Sequence, residues 1–232
     1  MNDLERLRAE YADRQRRLSG SDRYSFYNPG HLFAWQGRQR AVLSALRDEG
    51  DEPLESYRIL EVGCGQGGVL LELLSYGARP AQLFGCDLLF DRLQAAHQTL
   101  PHLPLACADG QTLPYPGAVF DLALQFTVFS SILDEQIRQH LAQEMLRVLR
   151  PGGLILWYDF WLNPLNPHTR GLRPQEVRQL FSGCECKFRR ITLAPPLARR
   201  LAPLSWQVCA LLEKLKILNT HYLATIHKPV EI

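Results

Sequence analysis

The chain has 232 residues, of which 46% are hydrophobic and 22% charged. Those proportions suit one globular domain, or one with a small appendage, and exclude wholesale disorder. A formal net charge of +2 is too mild to advertise nucleic acid as the partner, because phosphate-driven binders concentrate a basic face.

Local arginine clusters at Arg14, Arg16 and Arg17, and at Arg189, Arg190, Arg199 and Arg200, read as solvated faces, with an anion or lipid-surface contact as the alternative. The cysteines Cys64, Cys86, Cys107, Cys184, Cys186 and Cys209 contain no pair of C-x-x-C half-sites, so no metal ligand set is expected. The opening Met-Asn-Asp-Leu-Glu-Arg lacks the apolar stretch of a secretion signal, and no apolar run is long enough to span a bilayer. A cytoplasmic protein with reduced thiols is the expectation.

In chain order, Leu4, Leu7, Tyr11 and Leu18 recur at helical spacing and break at Ser19-Gly20-Ser21-Asp22. Asn28-Pro29 has the form of an N-cap followed by proline at the first helical position, opening a helix to about Arg47. Residues 1–50 are read as an N-terminal helical lid. A polar linker from Asp48 to Pro53 precedes the main domain, residues 51–232.

Strands are expected at Tyr57–Val62, Gln82–Cys86, Leu103–Cys107, Val119–Gln125 and Leu154–Asp159. The helices between them are expected at Gly67–Tyr76, Leu89–Leu100 and Asp134–Leu149, the last ended by Pro151-Gly152-Gly153. Such alternation demands a parallel sheet with helical crossovers, a doubly wound α/β fold. After a loop at Asn163–Pro167 follow a helix at Pro174–Phe181 and strands at Lys187–Leu193 and Thr220–His227. Between those strands a helical insertion spans about 195–218, its leucines recurring from Leu201 to Leu218.

The strongest motif is Glu61-Val-Gly63-Cys64-Gly65-Gln-Gly67-Gly68, closing the first strand. Glycines let the backbone turn tightly and approach a ligand at a helix N-terminus. Gly63, Gly65 and Gly68 also satisfy a dinucleotide fingerprint, so an NAD-dependent oxidoreductase is the first rival reading. Three features bear on the choice. Asp87, twenty positions after Gly67, can accept both hydroxyls of a ribose; NAD would ask for the same residue, so it excludes little except NADP. Asp109, in Ala108-Asp109-Gly110, can accept from an adenine amino group. Glu61 suits a cationic cofactor and would repel a pyrophosphate.

With Phe120-Asp-Leu-Ala123 and Met145-Leu-Arg-Val-Leu149-Arg-Pro-Gly-Gly153, these residues resemble the class I S-adenosylmethionine-dependent methyltransferases over roughly Tyr57–Asp159. The resemblance implies a Rossmann-like seven-stranded sheet, mostly parallel with an antiparallel last strand. It implies S-adenosyl-L-methionine as cofactor and S-adenosyl-L-homocysteine as product. The loop of Glu61, Gly63, Cys64, Gly65 and Gly67 would hold the methionine part, Asp87 with Leu88 the ribose, and Asp109 with Gly110 the adenine. Gln125 would lie beneath the sulfonium. Tyr24 and Tyr27, before the domain, read either as core aromatics or as lid aromatics that contact the cofactor. The helical insertion departs from the family.

For the acceptor, Asp159 and His31 are the candidate bases. Phe126, Phe129, Tyr158, Trp161, His168 and Trp206 are the candidate lining, with Trp157 and Phe160 beside them. Gln125-Phe126-Thr127-Val128 lacks the Asn/Asp-Pro-Pro-Tyr/Phe form associated with methylation of exocyclic base amines. The expectation is a small-molecule acceptor from natural-product or glycan metabolism, with O-methylation favoured and a monomer or homodimer. A lipid or lipid-linked acceptor gripped by the insertion, and a non-catalytic binding module, are the remaining alternatives.

Overall fold

The computed structural model describes residues 3–50, 53–164 and 166–230. Asp51 and Glu52 of the expected linker, and Leu165 of the expected loop, lie outside the described residues.

Helices α1 (Asp3–Leu18) and α2 (Pro29–Glu49) come first. The Asn28 side chain accepts from the backbone N–H of Gly30 and His31, and Pro29 stands where a free N–H would have no partner. Helix α2 runs two residues beyond Arg47, into the expected linker. Its last residue, Glu49, accepts from Thr225 Oγ1 at 2.9 Å and meets His227 Nε2 at 2.7 Å.

The main domain then alternates β1 (Ile59–Val62), α3 (Gly68–Ser75), β2 (Leu83–Asp87), α4 (Phe90–Thr99), β3 (Leu105–Cys107) and β4 (Phe120–Phe126). It continues through α5 (Glu135–Val148), β5 (Leu149–Phe160), α6 (Pro174–Leu180) and β6 (Glu185–Leu193). The insertion, α7 (Pro195–Leu201) and α8 (Trp206–Leu215), precedes β7 (Asn219–His227). The strands form one seven-stranded sheet in the order β3-β2-β1-β4-β5-β7-β6. Strand β7 is antiparallel to β5 and β6, and the remaining pairings are parallel.

Alternate residues of the strands feed opposite faces. Leu60, Val62, Ile155 and Trp157 join one core cluster, and Ile59, Leu154, Leu156 and Tyr158 the other. Because β1 pairs with both β2 and β4, the chain winds outward in both directions from it. The crevice at the carboxyl ends of these strands is where open α/β sheets bind ligands.

Two expectations are corrected. The insertion is two helices, because Pro203 has no N–H to continue the first, and Ser205 caps the second by accepting from Val208 N–H at 3.3 Å. Strand β5 begins at Leu149, so Pro151-Gly152-Gly153 lies inside its span. No described helix is long and apolar enough to cross a membrane.

Candidate functional site

Past β1, Gly63, Gly65 and Gly67 adopt φ of 74°, 54° and 80°. Side chains would strain such a run of left-handed turns, which delivers the chain abruptly into α3. The N–H groups of Gly63 and Cys64 both reach Cys86 O, at 2.8 and 3.0 Å, tying the loop to the end of β2. Asp87 continues that tie: Oδ2 accepts from Gly65 N–H at 2.7 Å and Oδ1 from Leu89 N–H at 2.9 Å. Each carboxylate oxygen keeps a second lone pair for a ligand hydroxyl.

A cavity of about 780 Å³ opens over this loop. Of the expected cofactor contacts, Gly63, Asp87, Leu88, Asp109, Gly110 and Tyr24 line it. Asp109 also shapes its own turn, accepting from Gln111 N–H at 2.9 Å and Gln111 Nε2 at 3.1 Å. Leu4, Leu7 and Tyr11 of α1 contribute to its lining. Arg92 also lines it, with its guanidinium 4.9 Å from the centre of the Tyr11 ring.

Glu61, Cys64, Gly65 and Gly67 stand outside the lining. Glu61 is 2% exposed, and its Oε2 has no hydrogen-bond partner. Burial first, then the neighbouring Glu72, pushes its carboxyl up to about 8. An unpaired buried acceptor next to the glycine loop fits a cofactor that brings a cationic amine.

A second cavity, of about 860 Å³, adjoins the first. Arg14, Leu18, Tyr24, Thr127 and Ser131 line both. Of the expected acceptor-side residues, His31, Tyr158, Trp161 and His168 line it, as does Phe160. His31 packs edge-on against Tyr24 at 5.8 Å. Its pKa is lowered by partial burial and by Arg38, so the ring is neutral and able to take a proton at pH 7. Tyr158 Oη bonds Thr192 Oγ1 at 3.0 Å, and its ring stacks on His221 at 4.8 Å. His221 is fully buried and pushed down to about 3, which makes it a feeble base.

Several expected site residues go elsewhere. Asp159 is fully buried and lines neither cavity. It accepts from Ser130 N–H at 3.0 Å and Phe160 N–H at 2.8 Å, so it braces the segment after β4 against the end of β5. Burial raises it to about 6. Gln125 is likewise fully buried; its Oε1 accepts from Val128 N–H at 3.0 Å and it lines neither cavity.

Tyr27 is 98% exposed and contributes to neither wall. Phe129 and Trp157 are fully buried core residues, and Phe129 packs on Phe181. Trp206 meets Phe33 edge-on at 5.1 Å, joining α2 to the insertion rather than lining a pocket. Phe126 lines the first cavity rather than the second.

Sequence reasoning missed Thr127, which lines both cavities with a φ of 61°. A strained non-glycine residue just past the end of β4 marks the junction between the chambers. It also missed Arg23 and Arg38, which line the second cavity together with Arg14 of the first arginine cluster.

Residues 59–153 match the methyltransferase domain family. The chain is 29% identical over 171 residues to ajmaline N-methyltransferase of Rauvolfia serpentina, covering 68% of this chain and 57% of that protein. It is 39% identical over 108 residues to fatty-acid O-methyltransferase of Mycolicibacterium smegmatis, covering 46% of this chain and 38% of that one. The chain thus spans less than two thirds of the length of these relatives. Further relatives are named as tRNA and sterol methyltransferases. A S-adenosylmethionine-dependent methyltransferase structure from Methanosarcina mazei superposes with a TM-score of 0.62 at 17% identity, covering 81% of this chain and 98% of that one. At that identity the likeness is one of fold.

Proposed function

We propose that the chain is a class I S-adenosylmethionine-dependent methyltransferase, a reading supported by the match of residues 59–153 to the methyltransferase domain family, and that it methylates a small-molecule acceptor held in the second cavity. The observation that carries this reading is the pair of adjoining cavities meeting at Tyr24, Thr127 and Ser131.

In this reading the first cavity takes the cofactor. The glycine loop and Glu61 hold its amino-acid end, Asp87 and Leu88 its ribose, and Asp109 and Gly110 its adenine. S-adenosylmethionine, when bound, supplies a methyl carbon already activated by a sulfonium leaving group. The protein's task is then alignment, with water excluded by the lid of residues 1–50. Neutral His31 takes the proton of an acceptor hydroxyl, which favours O-methylation of a natural-product or glycan-pathway metabolite. The free cysteines suit a cytoplasmic setting.

The test is titration calorimetry with S-adenosylhomocysteine, followed by a labelled-methyl screen across acceptor classes. Wild-type protein is expected to bind S-adenosylhomocysteine, and Asp87→Ala to weaken it by roughly tenfold or more, the ribose hydroxyls having lost a charged acceptor. His31→Gln is expected to lower kcat with cofactor affinity intact. Binding of NAD in place of S-adenosylhomocysteine would defeat the cofactor assignment. Binding without transfer to any acceptor class would favour a binding module.

A further inference from the structure

The two arginine clusters of the sequence do not both face solvent. Arg14 from α1, Arg23 from the turn after it, and Arg199 from α7 line the same second cavity. Among the described residues none of the three has a carboxylate partner. Arg14 Nη2 donates instead to Tyr24 Oη at 2.6 Å.

The other arginines of that wall are occupied. Arg17 pairs with Glu10 and Asp13 at 2.8 Å, Arg38 pairs with Glu72, and Arg190 donates to the carbonyls of Asn219 and Ile217 at 3.0 Å. Among the described lining residues the sole carboxylate is Glu10, already engaged by Arg17. Arg199 is held in place by its backbone, which packs so closely on Gly30 in the first turn of α2 that a Cβ there would collide with it. Its guanidinium pKa is lowered by burial and by the like charge of Arg23. Like charges gathered in a concave wall without a protein anion are unfavourable until an oxyanion sits among them.

We propose that Arg14, Arg23 and Arg199 form a phosphate-binding subsite and that the methyl acceptor is a small organic phosphate. The inference rests on reading the second cavity as the acceptor chamber. A phosphate ester brings nearly two negative charges and three acceptor oxygens to guanidinium forks, where a carboxylate brings one charge. Tyr158, Phe160 and Trp161 line the same cavity and offer an aromatic surface to the organic part. His31, on the same wall, packs on Tyr24, which lines both cavities.

The experiment titrates phenyl phosphate, and in parallel benzoate, into the full chain with and without S-adenosylhomocysteine. Phenyl phosphate is expected to bind tighter than benzoate. The R23Q/R199Q variant should weaken it by about tenfold or more while S-adenosylhomocysteine affinity stays at the wild-type value. Arg23→Gln alone, at an exposed position, should give part of that loss if the double variant folds poorly. Arg16→Gln, whose side chain is 78% exposed and outside the cavity, should change nothing.

Absence of phenyl phosphate binding, or binding indifferent to R23Q/R199Q, overturns the subsite. Benzoate binding as tightly as phenyl phosphate overturns the choice of phosphate. Binding of folded tRNA that weakens in R23Q/R199Q, with no affinity for phenyl phosphate, would make the arginines a nucleic-acid surface. Failure of S-adenosylhomocysteine to bind would sink the cofactor reading alone, since the titration without it still tests the subsite.

Discussion

At the end of β1 a carboxyl group is buried with one oxygen that meets no donor, and this governs how Glu61 behaves as pH changes. Its pKa stands at about 8 in the fold against an ordinary value of 4.5. Between those values the folded chain keeps a proton that the unfolded chain has released. Stability therefore falls as pH rises through that window. Glu61→Gln keeps the shape and removes the titration. The variant is expected to show a flatter Tm profile between pH 5 and 8, and a Tm no lower than wild type near pH 7.5. Its affinity for S-adenosylmethionine should nevertheless drop by about tenfold, because the carboxyl can give up its proton when a cationic amine arrives beside it and the amide cannot become an anion. An unchanged Tm slope in a pH series would remove Glu61 as the source of the linkage.

Helix α1 shows how an element can belong to the site more than to the core. Leu7 is buried in the main cluster, with Leu4 and Tyr11 packed against it, and all three line the first cavity. Arg6 donates to Ser131 O at 2.6 Å, and Arg92 reaches across the cavity to the Tyr11 ring. On the proposed reading of α1 as a lid these contacts hold a cover over the glycine loop, so Leu7→Asp is expected to loosen the cover while the sheet stays intact. Stopped-flow measurement should show S-adenosylhomocysteine leaving about tenfold faster, an effect of ~1.4 kcal/mol. Hydrogen exchange should rise in residues 3–18 and not in β1, β4 and β5. Equal loss of protection in the sheet would mean that α1 is part of the core.

The amphipathic pattern of α1 was legible in the sequence, as were the strands and the glycine loop, because apolar runs and glycine or proline punctuation are local signals. Other features depended on distant partners. The leucine period from Leu201 to Leu218 reads straight through Pro203, since periodicity counts apolar side chains and not a missing N–H. Asp159 and Gln125 each stand one residue before a strand end, close to expectation, but both side chains turn inward to backbone N–H groups, a direction set by strand register and neighbouring loops. Trp206 looked like pocket lining because its partner, Phe33, lies on a helix far away in sequence.

Across the whole molecule, charge is distributed less evenly than a net +2 suggests. The sheet's reversal at β1 and β4 sets both cavities at one edge, yet they are recognised by different physics. The first sets the carboxylates of Asp87, Asp91 and Asp109 among Arg8, Arg14 and Arg92, so its charges balance, and the second gathers guanidiniums with little compensating acid. Salt therefore separates them. Raising ionic strength from about 0.05 to 0.3 M shortens the screening length from roughly 14 to 6 Å, comparable with distances across such a chamber. The KM for a phosphate-bearing acceptor is expected to rise several-fold over that range, while the Kd of S-adenosylhomocysteine changes by less than about twofold. In R23Q/R199Q the acceptor's salt dependence should largely disappear, because the charges being screened are no longer there. A KM equally salt-sensitive in wild type and variant would assign the effect to long-range steering by the whole surface, against recognition inside the chamber.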